Sequence, residues 1–63
     1  MLKENDHVKI KKANITGEII DVSIVEGKYV YIVESDEKGV PGGYGGENSW
    51  KLFWCNKEEL EKI

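Results

Sequence analysis

Sixty-three residues form one small domain, long enough to bury only about 60% of the surface its unfolded chain exposes and too short for a deep catalytic cleft. Twelve acidic residues outweigh nine lysines for a net charge of −3, which speaks against a dedicated nucleic-acid binder. Cys55 is the only cysteine and His7 the only histidine, so no CxxC or HxxxH metal-ligand set and no internal disulfide can form, and a reducing, cytoplasmic setting is expected.

In chain order, "HVKIK" alternates Val8 and Ile10 with His7, Lys9 and Lys11, the period of a half-buried strand. "ANITGEIIDVSIVEGKYVYIVES" comes next as two β-branched and aromatic runs around Glu26-Gly27-Lys28, a hairpin with Gly27 supplying a positive φ. In the first run Ile20, Val22 and Ile24 alternate, but Ile19 and Val22 sit three apart, so a bulge is expected near Ile20 or Asp21. The second run puts Val30 and Ile32 on one face and Tyr29, Tyr31 and Val33 on the other, with both faces partly covered.

Residues 36–49 hold five glycines and Pro41 around Tyr44. The segment lacks the lysine and following helix of a phosphate-binding loop and the third glycine of a dinucleotide fingerprint, so no cofactor is expected. Its glycines lose much entropy on ordering, which predicts a mobile connection, with Tyr44 as the side chain able to anchor a partner. A fourth strand, "SWKLFWC", alternates Trp50, Leu52 and Trp54 with Lys51, Phe53 and Cys55. In "NKEELEKI", Asn56 and Glu59 are spaced as a capping box, predicting a short helix over 57–62 with Leu60 and Ile63 docked on the core. A fifth strand is expected around Val40 or at the chain's end.

Asp6, Val8, Ile10, Gly17, Ile19 and Val22 together resemble the opening of small SH3-like barrels, in particular the KOW type, and "YIVE" with "WKLFWCNKEELEKI" is similar to short SH3-like proteins of bacterial and phage-associated origin. The resemblance implies an all-β, SH3-like barrel of about five strands over 1–63, ending in a helical turn. "KKANIT" lacks the basic, glycine-rich connection that ribosomal and transcriptional KOW modules carry.

Two arrangements of the aromatics are open. Either Trp50 or Trp54 joins Tyr31 and Phe53 in the core, or Tyr29, Tyr44 and a tryptophan (Trp50 or Trp54) line an exposed groove for a protein or peptide. The alternative is weak, salt-sensitive nucleic-acid binding by Lys9, Lys11 and Lys12, which otherwise form a solvated strand face that guards an edge. Solvation and capping account for the acidic pairs Asp36-Glu37 and Glu58-Glu59, and no enzyme, membrane span or small-molecule cofactor is expected.

Overall fold

The computed structural model describes residues 2–63. The chain is mostly antiparallel β-sheet: β1 His7–Ile10, β2 Ile15–Val25, β3 Lys28–Lys38, β4 Trp50–Cys55 and β5 Leu60–Lys62, with one 3-10 turn at Lys57–Glu59. The strand order is β4-β3-β2-β1-β5. The all-β expectation holds, and the fifth strand lies at the chain's end.

Local chemistry explains each connection. Asn14 adopts φ 56° to close the turn after β1, its N–H donating to Ile10 O at 2.8 Å. Glu26 and Gly27 take φ 51° and 78° between the paired Val25 and Lys28, the two-residue turn whose twist suits a hairpin. The β2–β3 register slips between Ile19 and Asp21, so Ile20 is the extra residue of a bulge at the position its sequence pattern calls for.

That bulge lets β2 serve two halves of the molecule. Ile15–Glu18 pairs with β1, while Gly17–Ile19 before the bulge and Asp21–Val25 beyond it pair with β3. Val8, Ile10, Ile15 and Leu60 from one half and Tyr31, Val33 and Cys55 from the other belong to one buried cluster with Ile19, so the sheet wraps around a shared core. β4 and β5 are its edges and do not pair with each other.

The C-terminus departs from the sequence expectation. The capping box forms, with Asn56 Oδ1 accepting from Glu59 N and Asn56 N donating to Glu59 Oε1 at 2.9 Å, but it nucleates only the 3-10 turn at 57–59, in place of a helix over 57–62. Leu60 is extended at φ −113° and ψ 146°, faces Ile10 in the β1–β5 register and is buried. A helix this short is marginal in water, whereas an extended Leu60 buries its side chain and gives its backbone to β1. Ile63 stays exposed rather than docking.

β1 is accordingly an interior strand between β2 and β5, so the lysines around it guard no edge. No helix among the described residues is long and apolar enough to cross a membrane.

Candidate functional site

β4 carries the aromatics that sequence alone could not place. Its inward face is Phe53 and Cys55; Trp50 and Trp54 point outward and are 50% and 54% exposed. Neither tryptophan joins the core, which takes Tyr31, with Phe53 packed half-buried against it. The reason is the pairing register: Cys55 and Phe53 oppose the buried Tyr31 and Val33, and alternation then sends Trp54 to the opposite face beside Ile32.

The glycine-rich segment is folded, contrary to the mobile connection its composition suggests. β3 runs on to Lys38, so the loop is shorter than 36–49 and spans 39–49. Tyr44 N donates to Leu52 O at 2.7 Å and Leu52 N to Tyr44 O at 2.9 Å, a one-residue extension of the sheet on the β4 edge. Lys51 Nζ donates to Gly42 O at 3.2 Å and Ser49 Oγ to Gly46 O at 2.9 Å. At Gly43, with φ 69°, a Cβ would stand 2.8 Å from the Phe53 ring, so the absence of a side chain is what lets the loop lie on β4. These contacts offset the ordering entropy that composition alone stresses.

The loop thereby sets Tyr44 against Trp54, ring centroids 6.0 Å apart and nearly perpendicular at 86°, the edge-to-face arrangement aromatic quadrupoles favour. Tyr44 itself is 71% exposed. Alternation places Trp50, Leu52 and Trp54 on one face of β4, with Lys38, Glu34 and Ile32 of β3 respectively beside them. Trp50 lies beneath the chain's own Lys38, whose Nζ is 4.3 Å from its ring centroid.

Tyr29 belongs elsewhere. It shares the opposite face of β3 with Tyr31, at 6.4 Å between centroids, and with Asn56, Lys57 and Glu58 lines a shallow hollow near the β2–β3 turn. The groove expected of Tyr29, Tyr44 and one tryptophan is therefore divided: Tyr44 lies with Trp54 and Trp50 on one face, and Tyr29 on the other.

The lysines do not make a stripe. Lys9 lies within β1 between Thr16 and Glu61, while Lys11 and Lys12 are exposed in the turn after the strand. His7 Nε2 lies 2.6 Å from Asp36 Oδ2, and this contact, opposed by partial desolvation, draws the Asp36 carboxyl below its usual range.

Three groups mattered that sequence reasoning missed. Ser35, buried, donates to Glu37 O at 2.7 Å and accepts from Lys51 N at 2.9 Å, bridging the register slip between β3 and β4. Asp6, also buried, accepts from Lys3 N at 3.0 Å and pairs with Lys62 at 3.7 Å. Glu18 and Glu34 stand directly opposite one another in β2 and β3. Only their register brings them together; sixteen positions of sequence hide it.

Cys55 is buried at the end of β4, and burial, with the nearby Glu59 charge, pushes its thiol up to about 11 from 9.0. Native protein at pH 8 should react with a thiol-specific disulfide reagent far more slowly than denaturant-unfolded protein. The raised value also means that stability contributed by the neutral thiol is complete below pH 9 and is lost as pH rises towards 11. Chemical denaturation of wild type and Cys55→Ala across that window should show wild type losing more stability; parallel curves would contradict it.

No group of three or more histidine, cysteine or acidic residues among the described residues is placed to hold a metal ion. No protein-family model matches the chain, and comparison with curated proteins and with solved structures likewise returned no match.

Proposed function

We propose that the protein is a non-enzymatic binding module that recognises a protein or peptide through the β4 face built by Tyr44, Trp54 and Trp50. The observation that carries this reading is Tyr44. A loop of glycines bonds to the sheet edge and presents a ring that stays largely exposed while it buttresses an exposed tryptophan. Exposed aromatics with few rotatable bonds bind at low entropic cost and concentrate affinity at interfaces.

The scaffold we assign to this module is an SH3-like barrel. The strand order, the bulged β2 shared by two halves and the single wrapped core support it, as does the KOW-like pattern of Asp6, Val8, Ile10, Gly17, Ile19 and Val22. Its one thiol is buried and needs no oxidising compartment, in keeping with a cytoplasmic protein. Tyr29 and its hollow lie outside the proposed face. Nucleic-acid binding by Lys9, Lys11 and Lys12 draws no support from their placement, because Lys9 is flanked by Glu61 and the other two sit in a turn.

A display selection of random peptides on the wild-type protein tests the proposal. Enriched peptides should lose tenfold or more in affinity for Trp54→Ala, as expected for an aromatic anchor worth about 2 kcal/mol, and bind Lys11→Gln/Lys12→Gln unchanged. Enriched peptides that bind Trp54→Ala and Tyr44→Ala as tightly as wild type would overturn it.

A further inference from the structure

The two rows that run across the sheet from Trp54 and Leu52 into β2 hold three carboxylates and no lysine. Across the sheet, Trp54 lies beside Ile32, and Ile32 beside Asp21; one row along, Leu52 lies beside Glu34, and Glu34 beside Glu18. Alternation puts Asp21, Glu18 and Glu34 on the same side as Trp54, since Ile19, Tyr31 and Val33 point into the core. Among the described residues the ion pairs within 4.0 Å are His7 with Asp36 and Lys62 with Asp6, so none of these three carboxylates is paired with a lysine. Asp21 accepts only from the neighbouring backbone, at Val22 N.

Two carboxylates directly opposite in a sheet oppose folding; His7 lies across from Glu18 on its other side but is engaged by Asp36, and among the described residues no lysine stands within 4.0 Å to compensate Glu18 and Glu34. A ligand cation would. The chain also displays the contact such a cation would make: Lys38 Nζ stands over Trp50, while among the described residues no cation stands over Trp54. Finally, Leu52 turns its N–H and C=O away from β3 to meet Tyr44, so two residues on Trp54 directs its own backbone pair outward, where no described residue meets it.

We propose that the occupant of this face is an extended, cationic protein segment, with an arginine or lysine side chain on the Trp54 ring beside Glu34 and Glu18, and its backbone hydrogen-bonded to Trp54. The inference rests on the recognition face proposed above and adds its ligand class. The same acidic row disfavours a second copy of this chain as the occupant, because two such faces repel. Cation–π contact and carboxylate pairing act together here, and backbone pairing at a strand edge fixes the extended shape.

The test titrates ¹⁵N-labelled protein with three pools of eight-residue peptides, randomised at odd positions and carrying arginine, threonine or glutamate at even ones. The arginine pool should shift the Trp54 indole and the amides of Tyr44, Leu52, Glu34 and Trp54, and do so less at high salt. The threonine pool should act more weakly and the glutamate pool not at all. Glu18→Gln/Glu34→Gln should weaken the arginine-pool response about fivefold, as two exposed charge pairs would, while its melting temperature is unchanged or raised because the opposed carboxylates are gone.

Threonine or glutamate pools that move the same signals as strongly as arginine would overturn the cationic ligand and leave the recognition face standing. Shifts in none of those signals with any pool would overturn both. Concentration-dependent shifts of Trp54 in protein alone would assign the face to a second copy and overturn the cationic segment.

Discussion

Gly17→Ala is expected to lower the melting temperature by about 10 °C or more, through packing strain of at least ~2 kcal/mol in a domain this small. Gly17 lies in β2 between Val8 of β1 and Ser35 of β3. A Cβ there would collide with Glu34 O and stand 2.8 Å from Val33 Cγ1 and 2.9 Å from Glu34 C. Two of those atoms are backbone of the neighbouring strand, so no side-chain rotation relieves the clash; β3 must move, and β3 carries both the core residues Tyr31 and Val33 and the pairing to β4. Thermal unfolding by circular dichroism checks this, and a melting temperature within two or three degrees of wild type would contradict so close an approach of the strands.

Leu60→Asp should leave the chain largely unfolded at 25 °C. Leu60 is 6% exposed, opposite Ile10 and within the same cluster as Val8, Tyr31 and Cys55. Truncating a buried leucine costs about 2–5 kcal/mol, and a carboxylate in its place adds desolvation of a charge without a partner. The total stability expected of a 63-residue domain is only roughly 3–9 kcal/mol. Ile63→Asp is the control: Ile63 is 57% exposed, and the same charge there should change stability by no more than about 0.5 kcal/mol. Equal effects of the two substitutions would show that β5 does not cover the core. A helix over 57–62 would have docked both side chains; the strand docks one.

That contrast marks how far the sequence was legible. Strands β1 to β4, the Glu26-Gly27 turn and the bulge at Ile20 arise from period-2 patterning and turn chemistry, because each is decided by neighbours in the chain. The capping box was legible too, since Asn56 and Glu59 meet within one turn. Strand β5 was legible only as one of two places for a fifth strand, in competition with the helix expected over 57–62: Leu60 becomes extended through pairing with Ile10, fifty positions away, and no local pattern encodes that partner.

The candidate face shows the same division. Trp50 and Trp54 share one side of β4 by alternation, but which side faces inward depends on Tyr31 and Val33 in the neighbouring strand. Glycine content predicts a mobile loop, yet the bonds between Tyr44 and Leu52 and the contact of Gly43 with Phe53 are tertiary and hold it to the sheet. Tyr29 looked equivalent to Tyr44 in sequence and lies on the other face, because residues of odd and even number in β3 part company across the sheet.

The recognition face exists only if the loop holds Tyr44 on Trp54, and one NMR experiment reports this directly. The account predicts nuclear Overhauser contacts between the Tyr44 ring and the Trp54 indole, together with slowed hydrogen exchange at the Tyr44 and Leu52 amides, whose reciprocal bonds are 2.7 and 2.9 Å long. Absent ring contacts, with both amides exchanging as fast as in an unfolded peptide, would mean that the loop is detached and that no composite aromatic surface is there to bind anything.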